Sequence, residues 1–200
     1  MANTVRTKKK TRDQRQGEGR ARILDAAREL FVSGGVAGLS VRAIAARAGM
    51  PPMTLYGYFP HKTAILRALW SDALAPLYDE MAAAEKAERN PKKRLHRVAQ
   101  TMVDYWLEHP DRFRIVFLTE DRREGEGDKW YIEETGQAST ISRFAPLIAE
   151  ARGDPDGDYL RESEALLCAI SGVAHMLIML SEYPWTKSKA YVDLLVRGFY

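Results

Sequence analysis

Four histidines, one cysteine and a run of alternating aspartates mark where this 200-residue chain would hold catalytic or metal chemistry. His61, His96, His109 and His175 fall in no HExxH pattern and no paired spacing, and Cys168 alone cannot complete a zinc site. Asp154, Asp156 and Asp158 alternate as in a calcium loop. However, Tyr159 stands where the loop needs glycine and Ala165 where it needs its bidentate glutamate, so the segment reads as a turn. There is no Gly-rich phosphate loop and no G-x-S-x-G elbow. Cys168 lies in an apolar stretch and reads as packing rather than as a redox sensor. With no acid–base pair, nucleophile or metal cluster, the chain is not expected to be an enzyme, and no cofactor or metal is expected.

What the residues do offer is chemistry directed at phosphates. The net charge is only +3, but residues 1–70 hold 13 Lys or Arg against 4 Asp or Glu, while residues 71–200 hold 17 against 23. Residues 1–22 alone hold 8 against 2. A basic third joined to an acidic remainder suggests a nucleic-acid module on a body with another task, although a solubilising tail gives the same count. His61 and Lys62 open a helical segment, where free backbone N–H groups and the helix dipole favour a phosphate oxygen. Ser171 and His175, one turn apart on an otherwise apolar helix, read either as polar contacts for a ligand or as buried or interface groups.

These groups need helices to position them. Residues 1–19 lack apolar periodicity and read as a basic flexible arm, with order beginning near Arg20. Ile23, Leu24, Ala27, Leu30 and Phe31 make one helical face that Gly34-Gly35 should end. Ser40 is a natural N-cap for a short helix striped by Val41, Ile44, Ala45 and Ala48. Gly49 breaks it, and Pro51-Pro52 opens a second short helix over residues 52–58. A long amphipathic stretch with Ile65, Leu66, Leu69, Ala73, Leu74 and Leu77 should kink or end near Pro76.

Further helices are predicted over residues 95–108, 111–119, 129–151, 159–182 and 186–200, with residues 120–128 a loop. The stretch 165–180 is apolar nearly all round and should be covered on more than one side. No strand pattern or repeat is present, so the fold class is all-α. There is no unbroken apolar run of membrane length, and the basic N-terminus is followed by no apolar stretch of the kind a secretory signal needs. A lone cysteine fits a reducing cytoplasm. The sequence stops at Tyr200 inside its last predicted helix, as a chain lacking its natural end would.

Two short helices joined through Ala48-Gly49-Met50-Pro51 after a longer one form a helix-turn-helix pattern, and a plain three-helix core has the same spacing. The run ILDAARELFVSGGVAGLSVRAIAARAGMPPMTLYGYFPHKTAILRAL, within residues 22–69, resembles the DNA-binding domain of TetR-family transcriptional repressors. The likeness is carried in order by Ala26-Ala27, Leu30-Phe31, Gly38, Ser40-Val41, Ile44-Ala45, Ala48-Gly49, Thr54-Leu55-Tyr56, Tyr58-Phe59 and Lys62 followed by Ile65-Leu66. More weakly, His109-Pro110 with residues 113–117, and residues 172–179, look like the C-terminal domain of one branch of that family.

The resemblance implies a basic arm over residues 1–19, a helix-turn-helix domain over 20–70, and a helical ligand-binding and dimerisation domain over 71–200. It implies a homodimer that represses promoters from a palindromic double-stranded operator until a small molecule binds. Ser40 and Arg42 match positions that touch phosphates, and Lys62 matches the phosphate-binding lysine. Pro51, Pro52, Met53 and Thr54 match the groove-facing start of the recognition helix; Tyr56 and Tyr58 match aromatic positions at backbone or base edges.

This chain departs from the family pattern by placing Pro51 where a Ser cap is common and Pro52 where a polar residue is common. Its recognition helix therefore offers hydroxyl and apolar contacts but no bidentate Arg–guanine pair. Apolar contact, DNA shape and a groove-following arm are then expected to carry specificity.

By the same resemblance, residues 159–182 and 186–200 form a four-helix interface with a second subunit, and ligand binding tilts the helix that starts at Lys62. Met102, Trp106, Phe113, Phe117, Trp130, Ser171, His175 and Met179 are the expected ligand-facing set. Aromatics and methionines at helical spacing equally describe a plain core; if the helices enclose a cavity, its effector is hydrophobic or aromatic. Control by a partner protein, and a small all-α enzyme using such a cavity, are the competing readings.

Overall fold

The computed structural model describes residues 11–120, 131 and 141–200. Among them are nine α-helices, one 3₁₀ turn and no strand, so the fold is all-α as the sequence predicts.

Capping side chains set where the helices start. Thr11 accepts a hydrogen bond from the Gln14 backbone N–H while the Gln14 side chain accepts from the Thr11 N–H, a reciprocal capping box that starts α1 (Arg12–Gly38). The expectation that order begins near Arg20 is corrected by this cap. The part of the predicted arm over residues 1–10 lies outside the described residues. The helical course is interrupted where the sequence predicts, at Gly35, whose φ of 59° and ψ of -157° are non-helical, and a short further helical stretch runs on to Gly38. Ser40 caps α2 (Val41–Arg47), its Oγ accepting from Ala43 N–H at 3.1 Å. Gly49, at φ 66°, turns the chain into α3 (Pro52–Tyr56).

The next helix, α4 (Lys62–Lys86), contains Pro76 in its interior. Of the two outcomes predicted at Pro76, the helix does not end there: Ala73, Leu74, Leu77 and Met81 are all buried around the proline, so packing outweighs its lost hydrogen bond. The buried Tyr105 hydroxyl also donates to the Ala73 carbonyl at 2.5 Å in the same turn. That burial pushes the Tyr105 phenol above its ordinary pKa, against the Arg112 guanidinium that donates to it.

Then come α5 (Pro91–Glu108), capped by Asn90, and α6 (Pro110–Phe117). After these are α7 (Phe144–Arg152), α8 (Leu160–Met179) and α9 (Ser188–Val196), with a final 3₁₀ turn over Arg197–Phe199. Residues 121–128 of the predicted loop and residues 129–130 and 132–140 of the helix predicted over 129–151 lie outside the described residues. The described end of that helix is broken by a turn at Ser142–Arg143. Ser163 of α8 makes the break possible. Its buried hydroxyl accepts from Phe144 N–H at 3.1 Å and donates to the Ile141 carbonyl at 2.6 Å, replacing the bonds a continuous helix would have made.

The chain divides into two units, residues 1–69 and 70–200, with α4 contributing to both. In the first, Ile23, Ala27, Ile44, Ala45, Leu55, Phe59, Ile65 and Leu69 form a closed apolar core. A Cβ at Gly19 would sit 2.4 Å from the Tyr58 ring and hydroxyl, so that glycine is where the ring lies against α1. In the second unit, α5 packs on α6, α7, α8 and α9 around Leu95, Val98, Trp106, Phe144, Leu166 and Val192.

Helix α8 buries one stripe, Ser163, Leu166, Ile170, Ala174 and Ile178. Its opposite stripe, Ala165, Cys168, Gly172, Met176 and Met179, is exposed. Cys168 is therefore not inside the packing, and among the described residues of one chain α8 buries one stripe and leaves the opposite one exposed. By length and composition alone α8 would reach across a membrane; Glu162 and Glu164 interrupt the unbroken apolar run by which the sequence is judged.

Two outcomes test this packing. Ser163→Ala leaves the buried Phe144 N–H without its acceptor and should cost about 1–3 kcal/mol, seen as a lower urea midpoint; an unchanged midpoint contradicts the stitch. Gly17→Ala, in open space on α1, should gain about 0.5–1 kcal/mol of helix propensity. Gly19→Ala should lose that gain by displacing the Tyr58 ring, and equal melting gains for the two variants contradict the contact.

Candidate nucleic-acid interface and ligand cavity

In the first unit, α2 packs on both α1 and α3, and the turn between α2 and α3 closes tightly, with Met50 N–H donating to the Ala45 carbonyl at 3.0 Å. Leu55 points inward and is fully buried, which turns the rest of α3 outward. Pro51, Pro52 and Thr54 are exposed, Met53 is 80% exposed and Tyr56 46%. This surface holds one hydroxyl from threonine, one from tyrosine, a thioether and two proline rings, with no side-chain cap at the helix start.

The flanking groups divide into committed and uncommitted. Arg42 is exposed and Lys62 half-buried at the start of α4; neither makes a hydrogen bond or ion pair among the described residues. Ser40's oxygen accepts the cap bond, which leaves its hydroxyl proton to donate outward. His61 also caps: its Nδ1 accepts from Ala64 N–H at 3.1 Å, so the ring proton sits on Nε2. One of the backbone donors expected to meet a phosphate is thereby taken.

Tyr58 is half-buried with its ring on Gly19, so the structure sets it against α1 rather than among the exposed side chains of α3. Arg20, one of the eight cations of residues 1–22, is used internally. It donates to the Tyr58 carbonyl at 3.2 Å, and its guanidinium lies 4.2 Å from the Phe59 ring centre. Arg47 is likewise paired, with Glu29.

The second unit contains a cavity of about 260 Å³. One side is a stripe of α4: Trp70, Leu74, Leu77, Tyr78 and Met81. The other walls are Met102 and Trp106 of α5, Val116 and Phe117 of α6, and Thr119, Tyr131, Ile141, Phe144 and Leu167. None of these residues is charged. The Trp70 indole donates to the Ile115 carbonyl at 2.8 Å and to Thr119 Oγ1 at 2.7 Å, tying the end of α6 to α4.

Of the expected ligand-facing set, Met102, Trp106 and Phe117 line this cavity. Phe113 lies behind the wall, stacked on Phe117 at 4.5 Å and edge-on to Trp106 at 5.7 Å. His175 is 5.9 Å from Phe113, and Ser171 Oγ is buried without a partner; neither reaches the wall. Met179 is on the exposed stripe of α8 and is removed from the set, because the helix turns that face away from its buried side. Trp130 lies outside the described residues. The α4 wall was missed although its i, i+4, i+7, i+8 and i+11 spacing was legible, because Pro76 appeared to end the helix.

The model of the family described as bacterial regulatory proteins, tetR family, matches residues 23–69. Among curated proteins, the nucleoid occlusion factor SlmA of Pasteurella multocida is 29% identical over 82 residues, which are 41% of this chain and 41% of that protein. The chain thus matches less than half the length of that relative. Among solved structures, the transcriptional regulator FadR of Bacillus subtilis, in complex with stearoyl-CoA, has a TM-score of 0.68 at 20% identity, covering 90% of this chain and 96% of that one. A regulatory protein in the tetR family from Rhodococcus RHA1 has a TM-score of 0.67 at 21% identity, covering 90% and 96%. At such identities the structural likeness is one of fold. Residues 23–69 thus match the N-terminal domain of the tetR family of bacterial regulatory proteins, and along the rest of the chain the likeness is one of fold.

Proposed function

We propose that this chain is a ligand-responsive transcription repressor. In this reading a homodimer grips a palindromic operator and a small hydrophobic or aromatic effector releases it. The observation that carries it is α3: with Leu55 anchored inward, its face from Pro51 to Thr54 with Tyr56 is turned outward within a matched family domain. That face enters the major groove, where Thr54 and Tyr56 hydroxyls and the apolar rim of Pro52 and Met53 meet base edges and thymine methyls. Arg42, Lys62 and the Ser40 hydroxyl hold phosphates and fix the register. With so few donors on the reading surface, affinity comes mainly from cations, including those of residues 1–10.

The exposed stripe of α8, with Met176 and Met179, and Leu194 on α9, 74% exposed, support the dimer. Such a face is self-complementary across a two-fold axis. The dimer sets half-sites about 34–36 Å apart. The apolar cavity supports an uncomplicated effector site, and the neighbour FadR is itself a regulator solved with an acyl ligand. Coupling uses α4, whose first residue is Lys62 and whose later turns line the cavity. An effector that favours one pose of that helix shifts the DNA-bound population by its differential affinity.

Gel shifts of the full chain on DNA selected from a random library test the reading. Binding should require paired half-sites, and Lys62→Ala should weaken all sequences alike and reduce the slope of log K against log salt by about 1. Removing residues 1–10, with Arg6, Lys8, Lys9 and Lys10, should reduce that slope by about 1–3; an unchanged slope contradicts the arm's role. Met176→Glu should convert a dimer to a 22.6 kDa monomer in sedimentation, and a variant that stays dimeric contradicts this interface.

A further inference from the structure

A second pocket in the same unit has the opposite character. It measures about 260 Å³, lies between the first turns of α5 and one stripe of α9, and shares no residue with the apolar cavity. Lys92, Lys93 and His96 face it from α5; Lys189, Asp193 and Arg197, four residues apart on α9 and the 3₁₀ turn, face it from the other side. Its wall holds four Lys or Arg side chains against one Asp, although acids outnumber bases 23 to 17 over residues 71–200. That one acid is already committed. Both Asp193 oxygens accept from Lys189 Nζ, at 3.0 and 3.1 Å, and Asp193 also pairs with His96. The bonded Lys189 ammonium holds the Asp193 carboxyl below the usual carboxylate range, so it is ionised and internally satisfied. Lys92 rests on the Tyr200 ring, its Nζ 4.7 Å from the ring centre. Lys93 and Arg197 make no side-chain hydrogen bond or ion pair among the described residues. Glu88 feels the Lys93 charge, but it is bonded to the Asn90 N–H at 2.9 Å and stands outside the wall. Asn90 in turn takes the Lys93 backbone N–H at 3.1 Å, so the pocket's cationic character comes from side chains and not from a bare helix end. Cations gathered in this way repel one another, and Lys92 and Lys93 also stand against the positive end of the α5 dipole. An anion in the pocket removes that cost.

We infer that this pocket binds a diphosphate group, gripped by Lys92 and Lys93 from α5 and by Arg197 from beyond α9. Four cations less one aspartate leave a surplus of three positive charges. A single phosphate ester group carries about −1.5 to −2 at pH 7 and leaves part of that surplus uncompensated, whereas two linked groups match it. The Arg197 guanidinium supplies a planar fork for paired phosphate oxygens, and the lysines act as mobile point charges. All four cations are exposed, so the group is reached from solvent and arrives either free or as the end of a larger metabolite. Bound between them, it braces the last helix against α5. The site lies wholly in the second unit and stands whether or not the first unit reads DNA.

Titration of the full chain with sodium diphosphate at fixed ionic strength, followed by calorimetry and ¹H–¹⁵N NMR, tests the site. Binding should saturate, and the amide signals of residues 92–96 and 197–200 should move with it. Sulfate should bind about 10-fold weaker or less, because one tetrahedral group engages fewer of the cations. Lys93→Ala and Arg197→Ala should each weaken diphosphate about 3–10-fold, the factor of one charge-assisted hydrogen bond discounted for solvent screening. Lys62→Ala, in the other unit, should leave it unchanged. Both pocket substitutions replace exposed side chains; if either variant fails to fold, the wild-type NMR shifts decide. Adenosine diphosphate separates the two sources: tighter binding than inorganic diphosphate marks a metabolite-borne group, and weaker binding a free one. Four results overturn the inference: no saturable binding, sulfate binding as tightly as diphosphate, shifts confined to residues 1–69, or a loss of affinity in Lys62→Ala with none in Lys93→Ala.

Discussion

Helix α4 remains helical past Pro76, and the candidate ligand site depends on that continuity. A proline inside a helix removes one backbone bond and crowds the preceding turn, a penalty of about 3 kcal/mol in an isolated helix. Here the penalty is met locally by burial of Ala73, Leu74, Leu77 and Met81 and by the Tyr105 hydroxyl on the Ala73 carbonyl. Because the helix survives, Trp70, Leu74, Leu77, Tyr78 and Met81 fall on one stripe and form one side of an apolar cavity. The same helix begins at Lys62, a short loop after α3 in the chain. A single element thus carries a candidate phosphate ligand at one end and ligand-facing side chains further along, which is the least machinery an allosteric regulator requires.

The interface on the first unit is notable for how many of its polar groups are already occupied. Ser40 and His61 cap helices, Arg20 holds the chain between α3 and α4, and Arg47 is paired with Glu29. Arg42 and Lys62 are left outside these contacts, and the proposed reading surface is made of proline, methionine, threonine and tyrosine. Such a surface discriminates thymine methyls and groove shape better than it discriminates guanine, since no side chain on α3 offers a bidentate fork.

Local signals were legible in the sequence and non-local ones were not. Ser40, Gly49 and Pro51-Pro52 fix α2 and α3 through bonds and dihedrals a few residues long, so those helices were readable and carried the family resemblance. The Thr11–Gln14 capping box was equally local, but it lies in a stretch without apolar periodicity, and periodicity was the signal followed there. The survival of α4 past Pro76, the break that Ser163 stitches from another helix, and the seating of Tyr58 on Gly19 all depend on residues distant in sequence. The cavity was half legible. Met102, Trp106 and Phe117 were identified by type, whereas the α4 wall required the helix to continue, and the exposure of Met179 required knowing which stripe of α8 is buried.

The central claim is that the cavity and the DNA-reading face are coupled, and coupling between two binding sites is reciprocal. The direct measurement is the affinity of the full chain for acetophenone, a small aromatic probe of the cavity, with and without saturating operator DNA, beside the affinity for that DNA with and without acetophenone. The expected result is that each ligand weakens the other by the same factor. Identical acetophenone affinities for the free and the DNA-bound protein would contradict the coupling.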